Sequence, residues 1–115
     1  MSQAKPKPPS LTLQERRIAL EKAQKLRKAR AEIRRKLKEG ELSLSQLLTQ
    51  EADEVIARMR VDHVLQSLPT VGKKTSDKIM AEIGIATSKR LGGLSARQRA
   101  ELLAFAQRFE DKKEA

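Results

Sequence analysis

Cysteine, tryptophan and tyrosine are absent from this 115-residue chain, and histidine occurs once. Without cysteine there is neither a disulfide framework nor a thiolate zinc site. His63 alone cannot build a metal centre, so no metal and no cofactor is expected. Phe105 and Phe109 are the only aromatic residues. Sequence-specific readers of single strands stack bases on exposed aromatics, which this chain almost wholly lacks. Among nucleic acids, a duplex backbone is therefore the favoured target. No signal-peptide apolar core and no apolar run of membrane-spanning length occurs, so a soluble cytoplasmic protein is expected. Strand-like alternation and internal repeats are also missing, which leaves an all-α fold.

The chain does carry positive charge. It holds 25 Lys/Arg against 15 Asp/Glu, a net charge of +10 and a pI near 10.3, which points to a polyanionic partner. Nucleic acid and an anionic membrane both qualify on charge alone. The surplus is uneven. Residues 1–40 hold 13 Lys/Arg against 4 Asp/Glu, a net of +9, while residues 41–60 net −2 and residues 61–115 net +3.

Four segments follow from composition. Residues 1–11 form a basic arm with Pro6, Pro8 and Pro9 between Lys5 and Lys7, and disorder is expected there. It is either a solvated tail or an arm that contacts phosphate or minor groove. Residues 12–40 form a long basic helix. Thr12 and Glu15 fit a capping box, no proline or glycine interrupts the run to Glu39, and Gly40 stops it. Ala19, Ala23, Leu26, Ala29, Ile33 and Leu37 share its docking face. A membrane-surface role is weak, because the first half of that face lacks bulky residues. The run is otherwise a phosphate-contacting helix, a coiled-coil strand or a solvated charge run. Residues 41–110 form a helical core, and residues 111–115 a charged tail.

Within the core, Ser43 with Gln46 and then Asp53 cap two short helices, the second running from Glu54 to Met59. Another helix spans Val61 to Leu68, with Asp62 and His63 mainly on its outer side. After a turn, a helix from Lys73 to Ile83 buries Ile79, Met80 and Ile83 and ends at Gly84. Gly92-Gly93 reads as a flexible turn. Ser95 caps a last helix from Ala96 to about Phe109. Arg97 and Arg99 lie near its N-terminus, where cations oppose the helix dipole. Their placement either suggests an anionic partner nearby or is tolerated at a small cost.

The stretch from Leu65 to Ile85 organises the rest. Pro69 ends one helix, Thr70-Val71-Gly72 turns, and Lys73-Lys74-Thr75 opens the next. The arrangement resembles helix-hairpin-helix and helix-two-turn-helix motifs, which grip a nucleic-acid backbone. A glycine lets backbone approach a phosphate without a Cβ clash. The following helix start offers free N–H groups and a positive dipole end. Lys73, Lys74 and Lys78 add charge. Such hairpins place glycine on both sides of the apolar residue, whereas this chain has Thr70 at the first position. An ordinary helical corner with solvated lysines is the alternative on the motif alone.

Over Leu11–Phe109 the chain resembles the actinobacterial integration host factors, which differ in fold from the dimeric β-armed bacterial factor. The resemblance lies in ALEKAQKLRKARAEIRRKLKEG (19–40), ADEVIARMRVDHVLQSLPTVGKKTSDKIMAEIGI (52–85) and KRLGGLSARQRAELL (89–103). It implies a long N-terminal helix packed on a small helix-two-turn-helix domain. It further implies duplex-DNA binding with little sequence preference, nucleoid organisation, and help to phage integration by a tyrosine-type integrase. Phosphate contact carries over to Pro69, Val71, Gly72, Lys73 and Lys74, and minor-groove contact to Lys89 and Arg90. A further basic residue often follows the leucine there, where this chain has Gly92. The first-helix residues Arg16, Arg27, Arg30, Arg34, Arg35 and Lys38 match a looser pattern of backbone or second-duplex contact. With Thr75, Lys78, Arg97 and Arg99, these are the candidate DNA-binding residues of a protein expected to be a monomer when free.

Three rivals stand beside this reading. A small-subunit ribosomal protein uses a similar hairpin on RNA, and A-form against B-form binding separates the two. Repair glycosylases contain helix-two-turn-helix modules, but this chain lacks their zinc-finger cysteines and a proline nucleophile after Met1, so an enzyme is not expected. A helical protein-binding adaptor would bind its partner without salt sensitivity or DNA.

Overall fold

The computed structural model describes residues 12–50 and 53–114; the basic arm at residues 1–11 lies outside them. Among the described residues six α-helices follow in order: α1 Leu13–Glu39, α2 Leu44–Leu48, α3 Glu54–Arg58, α4 Val61–Gln66, α5 Lys73–Ile83 and α6 Ala96–Glu114. A 3-10 turn, Leu91–Gly93, separates α5 from α6. No strand occurs among the described residues, and one isolated bridge joins Arg60 to Arg90.

Local chemistry sets the helix ends. Thr12 Oγ1 accepts from the Glu15 N–H and Glu15 Oε1 from the Thr12 N–H, closing a reciprocal box. Gly40 ends α1 at φ 79°, a left-handed conformation that glycine adopts without a Cβ penalty. Ser43 with Gln46 repeats the box at α2, and Asp53 accepts from the N–H groups of Val55 and Ile56 at α3. Gly84 closes α5 at φ 85°. The last helix runs beyond the expected end at Phe109 to Glu114, taking in most of the charged tail. The short helices stop early: α3 ends at Arg58 and α4 at Gln66, because Met59 turns to extended backbone and Ser67 opens the hairpin turn.

The core is a single cluster fed by every helix. It gathers Leu37, Leu47, Ile56, Val61, Val64, Leu65, Met80, Leu102 and Ala106, all nearly inaccessible. Each fully buried Leu, Val or Met contributes roughly 1.5–3 kcal/mol relative to an exposed one. α2 packs on α6, α4 on α5, α5 on α6, α1 on α3, and α3 on the 3-10 turn. Polar pins reinforce this packing. Glu110 of α6 accepts from both the Ser45 N–H and Ser45 Oγ at the start of α2. Arg34 Nε donates to Ser67 Oγ at 3.0 Å, tying α1 to the end of α4.

Only the second half of α1 docks. Leu37 is buried and Ile33, Ala29, Leu26 and Ala23 are partly covered, but Ala19 and every residue from Leu13 to Lys22 are exposed. The exposed first half of the helix runs past the body, and among the described residues nothing covers the apolar stripe read at Ala19.

Candidate nucleic-acid interface

The hairpin turn links α4 to α5. Leu68 and Val71 are buried, and the Val71 N–H donates to the Leu68 carbonyl at 3.2 Å. Val71 therefore anchors the turn from inside. This corrects the expectation that its amide faces a phosphate, because that donor is already used. Pro69 is half-buried and lines a groove with Leu37, Leu42 and Phe109. Thr70 holds φ 66°, the left-handed conformation for which related hairpins use glycine.

Gly72 caps α5 with φ −96° and ψ −172°, values open to any residue, and a Cβ added there would meet nothing within 4 Å. The fold makes no demand for glycine at this position. Gly72 brings no capping oxygen, no acidic residue occupies the first turn, and the first helical bond is Ser76 N–H to the Gly72 carbonyl. The N–H groups of Gly72, Lys73, Lys74 and Thr75 make no hydrogen bond and lie at an exposed surface. Free donors at the positive end of a helix form an anion site. Lys73 pairs with Asp77 at 3.1 Å, while Lys74 and Lys78 carry uncommitted charge.

A second group is presented by the loop after α5. The Val61 N–H donates to the Lys89 carbonyl at 3.0 Å and the Leu91 N–H to the Met59 carbonyl at 2.9 Å. These bonds clamp the loop onto the α3–α4 junction, with Leu91 buried on one side and the side chains of Lys89 and Arg90 left unpaired on the other. Gly92 is no flexible turn. A Cβ at that position would stand 2.9 Å from Ala57 Cβ and 3.0 Å from Ala57 O, so the glycine permits direct contact with α3. A basic residue in its place would have to push the turn off that helix.

The cations at the start of α6 have partners inside the protein. Arg97 Nη1 donates to the Ile83 carbonyl, and Gln98 Nε2 to the Gly84 carbonyl, at the C-terminus of α5. Arg99 donates to the Leu48 carbonyl that ends α2 and to the Leu91 carbonyl. Arg97 also pairs with Glu101. The anionic neighbour expected from the charge placement is thus supplied by helix C-termini, which carry partial negative charge.

On α1, Arg16, Arg27, Arg30 and Lys38 are without hydrogen-bonded or ionic partners, and Arg34 is used by Ser67. Arg35 is neutralised by Glu32, Glu39 and Glu41. Hydrogen bonding to Arg35 holds the Glu32 and Glu41 carboxyls below the usual carboxylate range and raises the guanidinium further. The docked half of α1 brings Arg27, Arg30 and Arg34 into one cleft with Arg90. Arg58 and Arg60 join them there, two residues that the acidic surroundings hid at the level of sequence. A signal for Arg60 was present: it stands between the buried residues Met59 and Val61, the alternation of an extended segment.

Residues 37–109 match the model of the S13-like H2TH domain family. The chain is 49% identical over 96 residues to an integration host factor of Mycolicibacterium smegmatis, covering 83% of this chain and 91% of that one. It is 42% identical over 95 residues to an integration host factor of Streptomyces coelicolor, covering 82% and 89% respectively. Among solved structures, sIHF bound to an 8-bp palindromic DNA superposes with a TM-score of 0.72 at 39% identity, spanning 75% of this chain and 98% of that one. The chain belongs to the integration host factor family, built on an H2TH domain.

Proposed function

We propose that the protein binds duplex DNA with little sequence specificity and bends or compacts it as a nucleoid-associated integration host factor. The observation that carries this reading is the open start of α5: four free amides, a glycine the fold does not require, and unpaired Lys74 and Lys78. Family membership and a DNA-bound relative of the same fold support it. In this reading the amides of Gly72 to Thr75 hold a phosphate, Lys74 and Lys78 neutralise its neighbours, and Lys73 joins when Asp77 releases it. Pro69, Thr70 and Val71 shape the turn. Lys89 and Arg90 border the minor groove, and Arg27, Arg30 and Lys38 form a second basic surface for another stretch of backbone. Arg97 and Arg99 act by fixing α6 against α5 and α2.

Phosphate contacts position a protein without reading bases. Selectivity then comes from groove width and deformability. The protein acts as a binder rather than an enzyme, in the nucleoid of the cytoplasm, as a monomer when free. Assistance to a tyrosine-type phage integrase belongs to the same proposal and rests on the family alone. Competition between matched B-form DNA and A-form RNA duplexes tests it. Preference for DNA is expected; preference for RNA would move the hairpin to the ribosomal reading.

A further inference from the structure

We propose that the cleft between α1 and the α3–α4 junction is a binding site for a small anion built of linked phosphates, such as a nucleoside triphosphate or a short inorganic polyphosphate. The cleft has a volume of about 560 Å³, within the roughly 300–1,000 Å³ typical of small-molecule sites. Six arginines line it: Arg27, Arg30 and Arg34 from α1, Arg58 from α3, Arg60 at the start of α4, and Arg90 from the loop after α5. Among the described residues, Glu54 is the only carboxylate on its wall. Leu26, Val55 and Met59 give the walls an apolar part, so charges there are less screened than at an open surface.

Internal bonds leave much of this charge uncommitted. Arg27, Arg30 and Arg90 have no hydrogen-bonded or ionic partner. Arg58 meets only Glu54, in an exposed pair at 3.2 Å. Arg60 spends Nη2 on Asp62 and on the Thr87 carbonyl. A set of like charges from separate segments held around one cavity is costly. A ligand with several anionic oxygens relieves that repulsion. The preference for arginine fits phosphate, because a planar guanidinium makes paired hydrogen bonds to two phosphate oxygens.

Size separates this ligand from duplex DNA. The cleft, of about 560 Å³, holds a small phosphate chain, whereas a duplex is wider than its own ~12 Å major groove and meets the cleft at its rim. Where Arg27, Arg30 and Arg90 also meet a duplex, as the proposed function holds, a bound polyphosphate competes for those side chains.

Titration calorimetry of the full chain with tripolyphosphate, ATP, orthophosphate and adenosine tests the site. One saturable site is expected for tripolyphosphate and ATP, with orthophosphate at least tenfold weaker and adenosine silent. ATP binding tighter than tripolyphosphate assigns the site to a nucleotide; equal binding assigns it to the phosphate chain. Arg27→Gln/Arg30→Gln, and separately the exposed Arg58→Gln on the facing wall, should weaken binding at least tenfold and threefold. Lys73→Ala/Lys74→Ala, at the hairpin, should change it less than twofold. Several weak sites, or equal losses from the cleft and hairpin variants, would overturn the proposal by showing diffuse counterion binding. A single-stranded oligonucleotide that displaces ATP at lower concentration than tripolyphosphate would also overturn it. Duplex binding measured on the same samples stays informative if the polyphosphate site fails, so the two readings fall separately.

Discussion

Arg60 and Arg90, thirty positions apart, pair in an antiparallel bridge that fixes the basic loop to the α3–α4 junction. The bridge leaves Arg90 unpaired at the surface while Leu91, next to it, is buried. Just beyond, Gly92 lies directly against Ala57. Gly92→Ala is therefore expected to destabilise the protein by about 1–3 kcal/mol, the usual cost of overpacking. Denaturant unfolding checks it. An unchanged midpoint would mean that the turn is not held against α3.

Thr70 is a β-branched residue at φ 66°. A left-handed conformation costs an L-residue roughly 1–2 kcal/mol. Glycine's extra freedom in the unfolded chain offsets part of that relief. Thr70→Gly should thus stabilise the protein by up to about 1 kcal/mol, read as a rise of several degrees in Tm. A fall in Tm would contradict the strained geometry.

Arg99 distinguishes a structural cation from a binding one. Its guanidinium holds the Leu48 and Leu91 carbonyls, at 3.0 and 2.7 Å. Removing it leaves the partly buried Leu48 carbonyl without its donor, at about 1–3 kcal/mol, while the Leu91 carbonyl keeps the Leu94 N–H. Arg99→Ala should lower stability yet leave the salt dependence of DNA binding unchanged at temperatures where the variant is folded. A flatter salt slope with unchanged stability would make Arg99 a phosphate contact.

Gly72 gives the converse. Its backbone angles suit any residue and open space faces its missing Cβ. Gly72→Ala should shift stability by no more than about 1 kcal/mol, since Ala is a poorer N-cap than Gly. DNA affinity should fall several-fold as the Cβ obstructs phosphate approach. Unimpaired binding would show that no phosphate comes close to this backbone.

The sequence made the helix starts and stops readable because caps act over three or four residues: Thr12 with Glu15, Ser43 with Gln46, Asp53, Gly40 and Gly84. The bounds of α5 and its buried face, Ile79, Met80 and Ile83, were equally legible. Contacts between distant segments were not. Nothing local marks Arg60 as the partner of Arg90, Gly92 as a packing glycine, or Arg99 as a ligand of α2. Charge patterning misled for the same reason. It ranked Arg35 with Arg30, yet three carboxylates converge on Arg35 while Arg30 is left unpaired on the cleft wall.

The most direct test of the DNA-clamp account is the salt dependence of duplex DNA binding by the wild type beside Lys73→Ala/Lys74→Ala. Each phosphate neutralised contributes about −0.9 to the slope of log K against log salt. A steep wild-type slope is expected, flattening by one to two units in the variant, with the fold intact by circular dichroism. A slope unchanged in the variant would contradict it and move the DNA contact away from the hairpin to the basic face of α1.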